Sequence, residues 1–213
     1  MTTLPTPTAG AALRLALRLG IVLAVVAAVL FVEMTSRSGV AWRLVTFTYQ
    51  ANILAAAYYA WTLFSPRADA RTGLRGAVVL YVVVAGVVWN LLLTGRSMGY
   101  TPANFLLHVV VPVLAITDWI LVGRGARPAR WWQPIAWLAY PAAYLGVALV
   151  VLNRLGRRAP YYFLDPGSVG AAAVAVNVTV LAAGFVGLGY VLLAVARPRS
   201  ANASPSPTDL SSS

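Results

Sequence analysis

The amino-acid sequence predicts an all-α, polytopic membrane bundle of six transmembrane helices. Two compositional facts predict it: 60% of the 213 residues are hydrophobic with only 10% charged, and the mean hydropathy is +0.78. The third observation is that the apolar residues gather into six runs long enough to cross a hydrocarbon layer of roughly 30 Å. Ordinary globular chains carry roughly 25% charged residues, and a soluble domain of this size would have too little polar side chain to cover so much apolar surface. The absence of cysteine excludes a disulfide scaffold, an iron–sulfur centre, a cysteine-ligated zinc ion and a thiol nucleophile.

The runs lie at about 15–34, 43–64, 76–94, 103–122, 132–152 and 171–196. The first follows Arg14 and Arg18 in the manner of a signal peptide. It ends in Glu33-Met34-Thr35-Ser36-Arg37 without a small-x-small cleavage site, and five more runs follow, so it is read as a retained helix. The second run carries Thr48 and Asn52, four residues apart and therefore on one helical face. Asn90 stands near the end of the third. The fourth has an inward stripe of Asn104, His108, Val111, Ala115 and Asp118, and Pro112 has no N–H to offer the carbonyl of His108, so irregular geometry is expected at the single histidine. In the last run, Asn177 is followed by Gly184, Gly187 and Gly189, which permit close backbone approach.

The flanking segments complete the organisation. Residues 1–10 form a Thr/Pro-rich arm and 197–213 a Pro/Ser-rich tail with little to bury, leaving 11–196 as the membrane domain. Pro160-Tyr161-Tyr162-Phe163-Leu164-Asp165-Pro166 is either a lid folded over the bundle or a cap for the last helix. Glu33 is placed to pair with Arg37 or Arg43, and Asp118 with Arg124 or another arginine on the inner side. Trp42, Trp61, Trp89, Trp119, Trp131 and Trp132 fall near run ends, where an indole buries its rings and keeps its N–H among headgroups.

All sixteen basic residues are arginine and the net charge is +11. They punctuate apolar runs instead of clustering on a polar face, so membrane lipids are the expected partners and nucleic acid is not. Ten arginines flank the two ends and the second-to-third and fourth-to-fifth loops, against six on the other side. That bias predicts cytoplasmic termini in a multi-pass protein of the cell membrane, the cytoplasmic membrane in a bacterium.

With this orientation Thr48 and His108 each lie roughly 8 Å below the outer ends of their runs, at about 1.5 Å per residue, and Asn90 and Asn177 share their layer. Nucleophilic catalysis is one chemistry this set allows. The Thr48 hydroxyl attacks an ester carbonyl and neutral His108 takes its proton, while Asn52, Asn90, Asn104 or Asn177 orients the imidazole or donates to the oxyanion. Asp118 is some 15 Å further along its helix, too far to complete a triad. The same layer also suits a lipid-binding or small-solute transport pocket, or simple helix–helix adhesion in a structural membrane protein. No glycine-rich phosphate loop or metal-ligand cluster is present in the sequence, so no cofactor is expected.

Three stretches carry a family resemblance: Phe47-Thr48-Tyr49-Gln50-Ala51-Asn52, Asn104-Phe105-Leu106-Leu107-His108-Val109-Val110-Val111-Pro112 with Asp118-Trp119, and Pro160-Tyr161-Tyr162-Phe163-Leu164-Asp165. Through them the chain resembles the six-span membrane proteins that include the androgen-induced gene product and the androgen-dependent regulator of tissue factor pathway inhibitor, more closely their bacterial branch. The resemblance covers nearly all of residues 12–195. It implies a threonine hydrolase for fatty-acid esters of hydroxy fatty acids, with Thr48 as nucleophile and His108 as base. Animal relatives tend to carry a second histidine beside the asparagine and a threonine after the catalytic histidine, where this chain has Phe105 and Val109. A hydroxyl about 3–4 Å from the His108 ring favours the chemistry, and one beyond about 8 Å counts heavily against it.

Overall fold

A computed structural model describes residues 9–35, 39–96, 99–121, 129–151 and 159–196. The predicted arm and tail lie outside the described residues, apart from Ala9 and Gly10, which already belong to the first helix. Arg37 and Arg124 lie outside them as well.

Among the described residues the long elements are α1 (Ala9–Thr35), α2 (Phe47–Phe64), α3 (Thr72–Leu93), α4 (Pro102–Leu121), α5 (Gln133–Val150) and α6 (Ala171–Ala196). Five of them, all but α2, are long and apolar enough to cross a membrane, and the molecule is an all-α, multi-pass membrane bundle. The predicted second run is split into a short turn at Val40–Leu44 and the 18-residue α2. Thr48, Gln50 and Asn52 in its first two turns keep α2 out of the apolar set.

The centre of the bundle is α3. Its residues are buried without interruption from Gly76 to Gly86, and 61% of its most apolar stretch is inside, against 22–39% for the other four. A helix apolar on every face belongs in the middle, and this valine-rich one packs against α2, α4 and α6. Outward-facing residues such as Leu23, Phe64, Leu91 and Val180 are exposed, as the lipid-facing side of a bundle requires. Trp42, Trp61, Trp131 and Trp132 are exposed near element ends, but Trp89 and Trp119 are buried. Trp119 donates its indole N–H to the Leu192 carbonyl at 2.8 Å, so these two are interior residues and not headgroup anchors. Of the three glycines in α6 only Gly189 meets a close neighbour, Pro134 of α5, while Gly184 and Gly187 face open space.

Arginine burial also departs from the sequence expectation. Arg18 of α1 and Arg75 of α3 are each only 2% exposed, and both converge on Asp118 of α4, which is fully buried. Arg18 Nε lies 3.3 Å and Arg75 Nε 3.7 Å from the Asp118 carboxylate. Asp69, on the turn Pro66–Asp69, pairs with Arg18 at 2.5 Å, with Arg14 at 3.1 Å and with Arg75. These arginines lie toward the N-terminal ends of α1 and α3, where sequence position alone suggests lipid headgroups, but buried charge requires a partner and the aspartates provide it. At the opposite end of α1, Glu33 pairs with Arg43.

Asp69 makes this cluster sensitive to acid. Burial pushes its carboxyl up, but the hydrogen bond and charge of Arg18, with the charges of Arg75 and Arg14, outweigh that and hold it below its ordinary value. A lowered folded-state pKa contributes stability that is complete above about pH 4 and is lost as the pH falls toward the lowered value. The melting temperature of the detergent-solubilised protein is therefore expected to fall below about pH 4, with a shallower acid limb in Asp69→Asn.

Candidate active site

The chain enters α2 through Thr46, which is extended (φ −81°, ψ 139°). Thr48 thus stands in the first helical turn, where backbone N–H groups have no intrahelical acceptor. Its own N–H donates instead to the Tyr161 hydroxyl at 3.3 Å. One turn later Asn52, only 1% exposed, donates its amide to the Thr48 carbonyl at 2.9 Å. These two residues share a face, as their spacing predicts.

His108 lies in a π-helical turn, Leu106–Val110, inside α4. Pro112 cannot donate to the His108 carbonyl, and the widened turn is the form that the expected irregularity takes. That carbonyl receives the Asn90 amide at 3.4 Å, and Asn90 itself sits in a second π turn, Trp89–Leu93, at the end of α3. Gly86 allows this approach: a Cβ there would lie 2.7 Å from the His108 carbonyl oxygen and 3.1 Å from Pro112. Gly86→Ala is accordingly expected to push α3 off α4 and cost about 1–3 kcal/mol. A lowered melting temperature, together with weaker burial of Trp89 by fluorescence, measures it.

The imidazole is fixed on three sides. It is 5% exposed and stacks on Trp89 with ring centroids 4.3 Å apart and planes 15° from parallel. Its Nδ1 lies 2.9 Å from the Asn104 carbonyl. A carbonyl only accepts, so in the neutral ring Nδ1 carries the hydrogen and Nε2 keeps its lone pair. The Thr48 Oγ lies 3.3 Å from that Nε2. Hydroxyl and lone pair therefore face each other in the arrangement that proton abstraction needs.

The other polar residues of the predicted layer are placed differently from one another. Asn104 contributes its backbone carbonyl to the histidine, while its side chain donates to the Gly99 carbonyl at 2.8 Å. Asn90 supports the histidine backbone, donates to the Gly86 carbonyl at 2.8 Å and accepts from the Tyr100 hydroxyl. Asn177 holds the Phe163 carbonyl at 2.9 Å, fastening the aromatic segment to α6. Asp118 belongs to the ion cluster described above. Asp165 caps the turn Pro166–Val169, accepting from the Gly167 N–H at 3.0 Å and the Ser168 hydroxyl at 2.6 Å. Among the described residues no carboxylate bonds the imidazole, which a backbone carbonyl orients instead.

The aromatic segment serves as both lid and cap. Ahead of Asp165, Phe163 and Leu164 are buried, and the Tyr161 and Phe163 rings stack at 5.5 Å. Tyr161 reaches Thr48, with its hydroxyl 3.5 Å from Oγ. Burial pushes the Tyr161 phenol above its ordinary pKa, although hydrogen bonds with Thr48 and Phe47 act the other way, so it is a neutral donor at physiological pH. Sequence reasoning singled out this segment but gave Tyr161 no role, and it assigned Trp89 to the interface. The pairing of both with the Thr48–His108 couple is a tertiary fact, and the tyrosine's position inside a candidate lid was its only signal.

Beside Thr48 lies a cavity of about 200 Å³, walled by α2, α3, α5, α6 and the aromatic segment, with Phe47, Val84, Val88, Leu145 and Phe185 among its apolar lining. Thr48, Tyr144 and Tyr161 supply hydroxyls at its surface. His108 is not part of the lining, so Thr48 stands between the cavity and the imidazole. This arrangement presents a hydroxyl to an apolar guest and a proton acceptor behind it. No protein-family model matches this chain, and neither a curated protein nor a solved structure does.

Proposed function

We propose that this protein is an intramembrane threonine esterase for amphiphilic lipid esters, with Thr48 as nucleophile and His108 as general base and acid. The observation that carries this reading is the directed chain from the Thr48 hydroxyl to His108 Nε2, and from Nδ1–H to the Asn104 carbonyl, set at the wall of an apolar cavity. Fatty-acid esters of hydroxy fatty acids are the substrate class that the family resemblance implies, and an acyl chain suits the apolar lining. In this reading α2 is a sixth span whose polar residues are satisfied within the bundle, and both termini lie in the cytoplasm. A lipid ester then reaches Thr48 from the outer leaflet without leaving the membrane.

The chemistry follows from the donor pattern. Thr48 Oγ forms a bond to the ester carbonyl carbon as its proton passes to Nε2, and the carbonyl π pair moves onto oxygen. Collapse of that oxyanion breaks the bond to the alkoxy oxygen, which leaves with the Nε2 proton as an alcohol. Water, deprotonated by Nε2, then attacks the acyl-threonine and releases the fatty acid, restoring Thr48. The net reaction is ester plus water to acid plus alcohol.

Labelling of the purified protein with a fluorophosphonate ester probe tests the reading. The wild type is expected to label, and Thr48→Ala and His108→Ala are not. Labelling retained in Thr48→Ala overturns the nucleophile assignment. A wild type that neither labels nor hydrolyses esters leaves the cavity as a lipid-binding site without catalysis.

A further inference from the structure

We propose that Tyr161 and the first turn of α2 form the oxyanion-binding element of this site, with the Thr48 N–H and the Tyr161 hydroxyl as its donors and Tyr144 as an auxiliary donor. The inference rests on the esterase reading and names the part of the machinery which that reading leaves open: the group that receives the negative charge.

Four observations converge on it. The first is position. The Tyr161 hydroxyl is 3.3 Å from the Thr48 N and 3.5 Å from Oγ, so donor, backbone amide and nucleophile surround one point. An oxyanion created by attack of Oγ is one atom removed from the new Oγ–C bond, within reach of both.

The second is polarity. Thr48 belongs to the opening turn of an 18-residue helix, whose N–H groups have no acceptor within the helix and whose aligned peptide dipoles favour negative charge. A nucleophile whose own backbone N–H helps to hold the oxyanion is an arrangement known from serine proteases.

The third is the direction of the hydrogen bonds. The Thr48 proton is committed to His108 Nε2, which is a pure acceptor in this tautomer. The Tyr161–Thr48 hydroxyl contact therefore has the phenol donating and the threonine oxygen accepting, while the phenol oxygen takes the Thr48 N–H. When Oγ gives up its proton and bonds to carbon it becomes a weaker acceptor, just as a stronger one appears on the neighbouring oxygen. The phenol shifts its hydrogen bond to the oxyanion and keeps its proton, and the Thr48 N–H exchanges the phenol oxygen for the same oxyanion, so no proton or electron pair is left over.

The fourth is a donor in reserve. Tyr144 of α5 is 7% exposed and lines the cavity. Its hydroxyl lies beside the Phe47 N–H and the Tyr161 hydroxyl, yet makes no hydrogen bond of ordinary geometry. It sets a second hydroxyl beside that of Tyr161 on the same wall of the cavity, where a ligand oxygen can meet both. The rest of the cavity is apolar, which strengthens each of these donors against the charge that forms.

The test compares purified full-length wild type, Tyr161→Phe and Tyr144→Phe in detergent micelles, using p-nitrophenyl octanoate for turnover and the fluorophosphonate for labelling rate. Tyr161→Phe keeps the ring that stacks on Phe163 and removes only the hydroxyl. Its kcat is expected to fall about 10²- to 10³-fold with KM nearly unchanged, an unshifted melting temperature and a parallel loss of labelling rate. Tyr144→Phe is expected to show a smaller loss of the same kind. A Tyr161→Phe protein with wild-type kcat, or one altered only in KM, overturns the oxyanion assignment while leaving the esterase standing. A loss of kcat accompanied by a large fall in melting temperature overturns it in favour of a packing role. A wild type without turnover or labelling overturns the esterase reading and this inference together.

Discussion

Thr48→Ala is expected to lower ester turnover by about 10⁴-fold or more, His108→Ala to do nearly the same, and the double variant to be no slower than the worse of the two. In the proposed esterase, nucleophile and base act as one unit. Once the hydroxyl is gone there is no proton for Nε2 to take, and once the imidazole is gone the hydroxyl is an unactivated alcohol. Thr48→Ser restores the oxygen without the methyl group and is expected to retain much of the wild-type rate. A purely structural couple behaves otherwise: Thr48→Ala costs about 1 kcal/mol of stability for its hydrogen bonding, and His108→Ala costs more, since it also removes the Trp89 stack and the bond to the Asn104 carbonyl, with no rate to lose. Turnover and melting temperature measured side by side on the wild type and the four variants separate the two.

Asp118→Asn is expected to destabilise the bundle by about 3–5 kcal/mol, because removing one member of a buried ion cluster leaves the rest uncompensated. The substitution preserves shape and removes one negative charge from a fully buried position facing Arg18 and Arg75. Asp69 alone is then left to balance three guanidinium groups. A paired replacement, Arg75→Met with Asp118→Leu, removes one charge of each sign and leaves Arg18 on Asp69, so it is expected to cost less than Asp118→Asn by itself. Unfolding in mixed micelles with increasing sodium dodecyl sulfate measures both. If the single variant is the more stable, the cluster does not hold the helices together.

How much of this was legible in the sequence depended on the range of the interaction. Helix positions follow from apolar runs, and the inward stripe Asn104, His108, Val111, Ala115 and Asp118 follows from helical periodicity, since His108, Val111, Ala115 and Asp118 are all buried. The approach of Thr48 to His108 followed from equal depth in two helices, a coarse argument that needs only the membrane as a ruler. The orientation of the imidazole was not legible. Pro112 announces a freed carbonyl, but whether the helix answers with a kink or a π turn depends on what packs beside it, here Gly86 and Asn90. Arg18 and Arg75 misled for a similar reason: an arginine at a helix end looks alike whether it snorkels to a headgroup or turns inward to an aspartate. Only the neighbouring helices decide. The second run, 43–64, reads as one apolar stretch, and the structure divides it into a short turn at Val40–Leu44 and an α2 too polar to join the other five.

The ion cluster has a further consequence for how the molecule divides its labour. Charge cross-links α1, the α2–α3 turn, α3 and α4 at one end, and every group of the Thr48, His108, Asn104 and Trp89 constellation is carried by α2, α3 and α4. The apolar wall contributed by Leu145 and Phe185 belongs to α5 and α6, which are joined to this frame by apolar packing and by single bonds such as Tyr81 to the Trp137 carbonyl and Trp119 to the Leu192 carbonyl. In the proposed site, nucleophile and base thus sit on the part pinned by electrostatics, which also supplies Phe47, Val84 and Val88 to the cavity, while the part held by shape supplies the facing wall. Substitutions at the apolar wall positions of α5 and α6, Tyr144 apart, are free to remodel which chain fits while Thr48 and His108 keep their registry, so divergence among such proteins should accumulate in that wall and spare the frame.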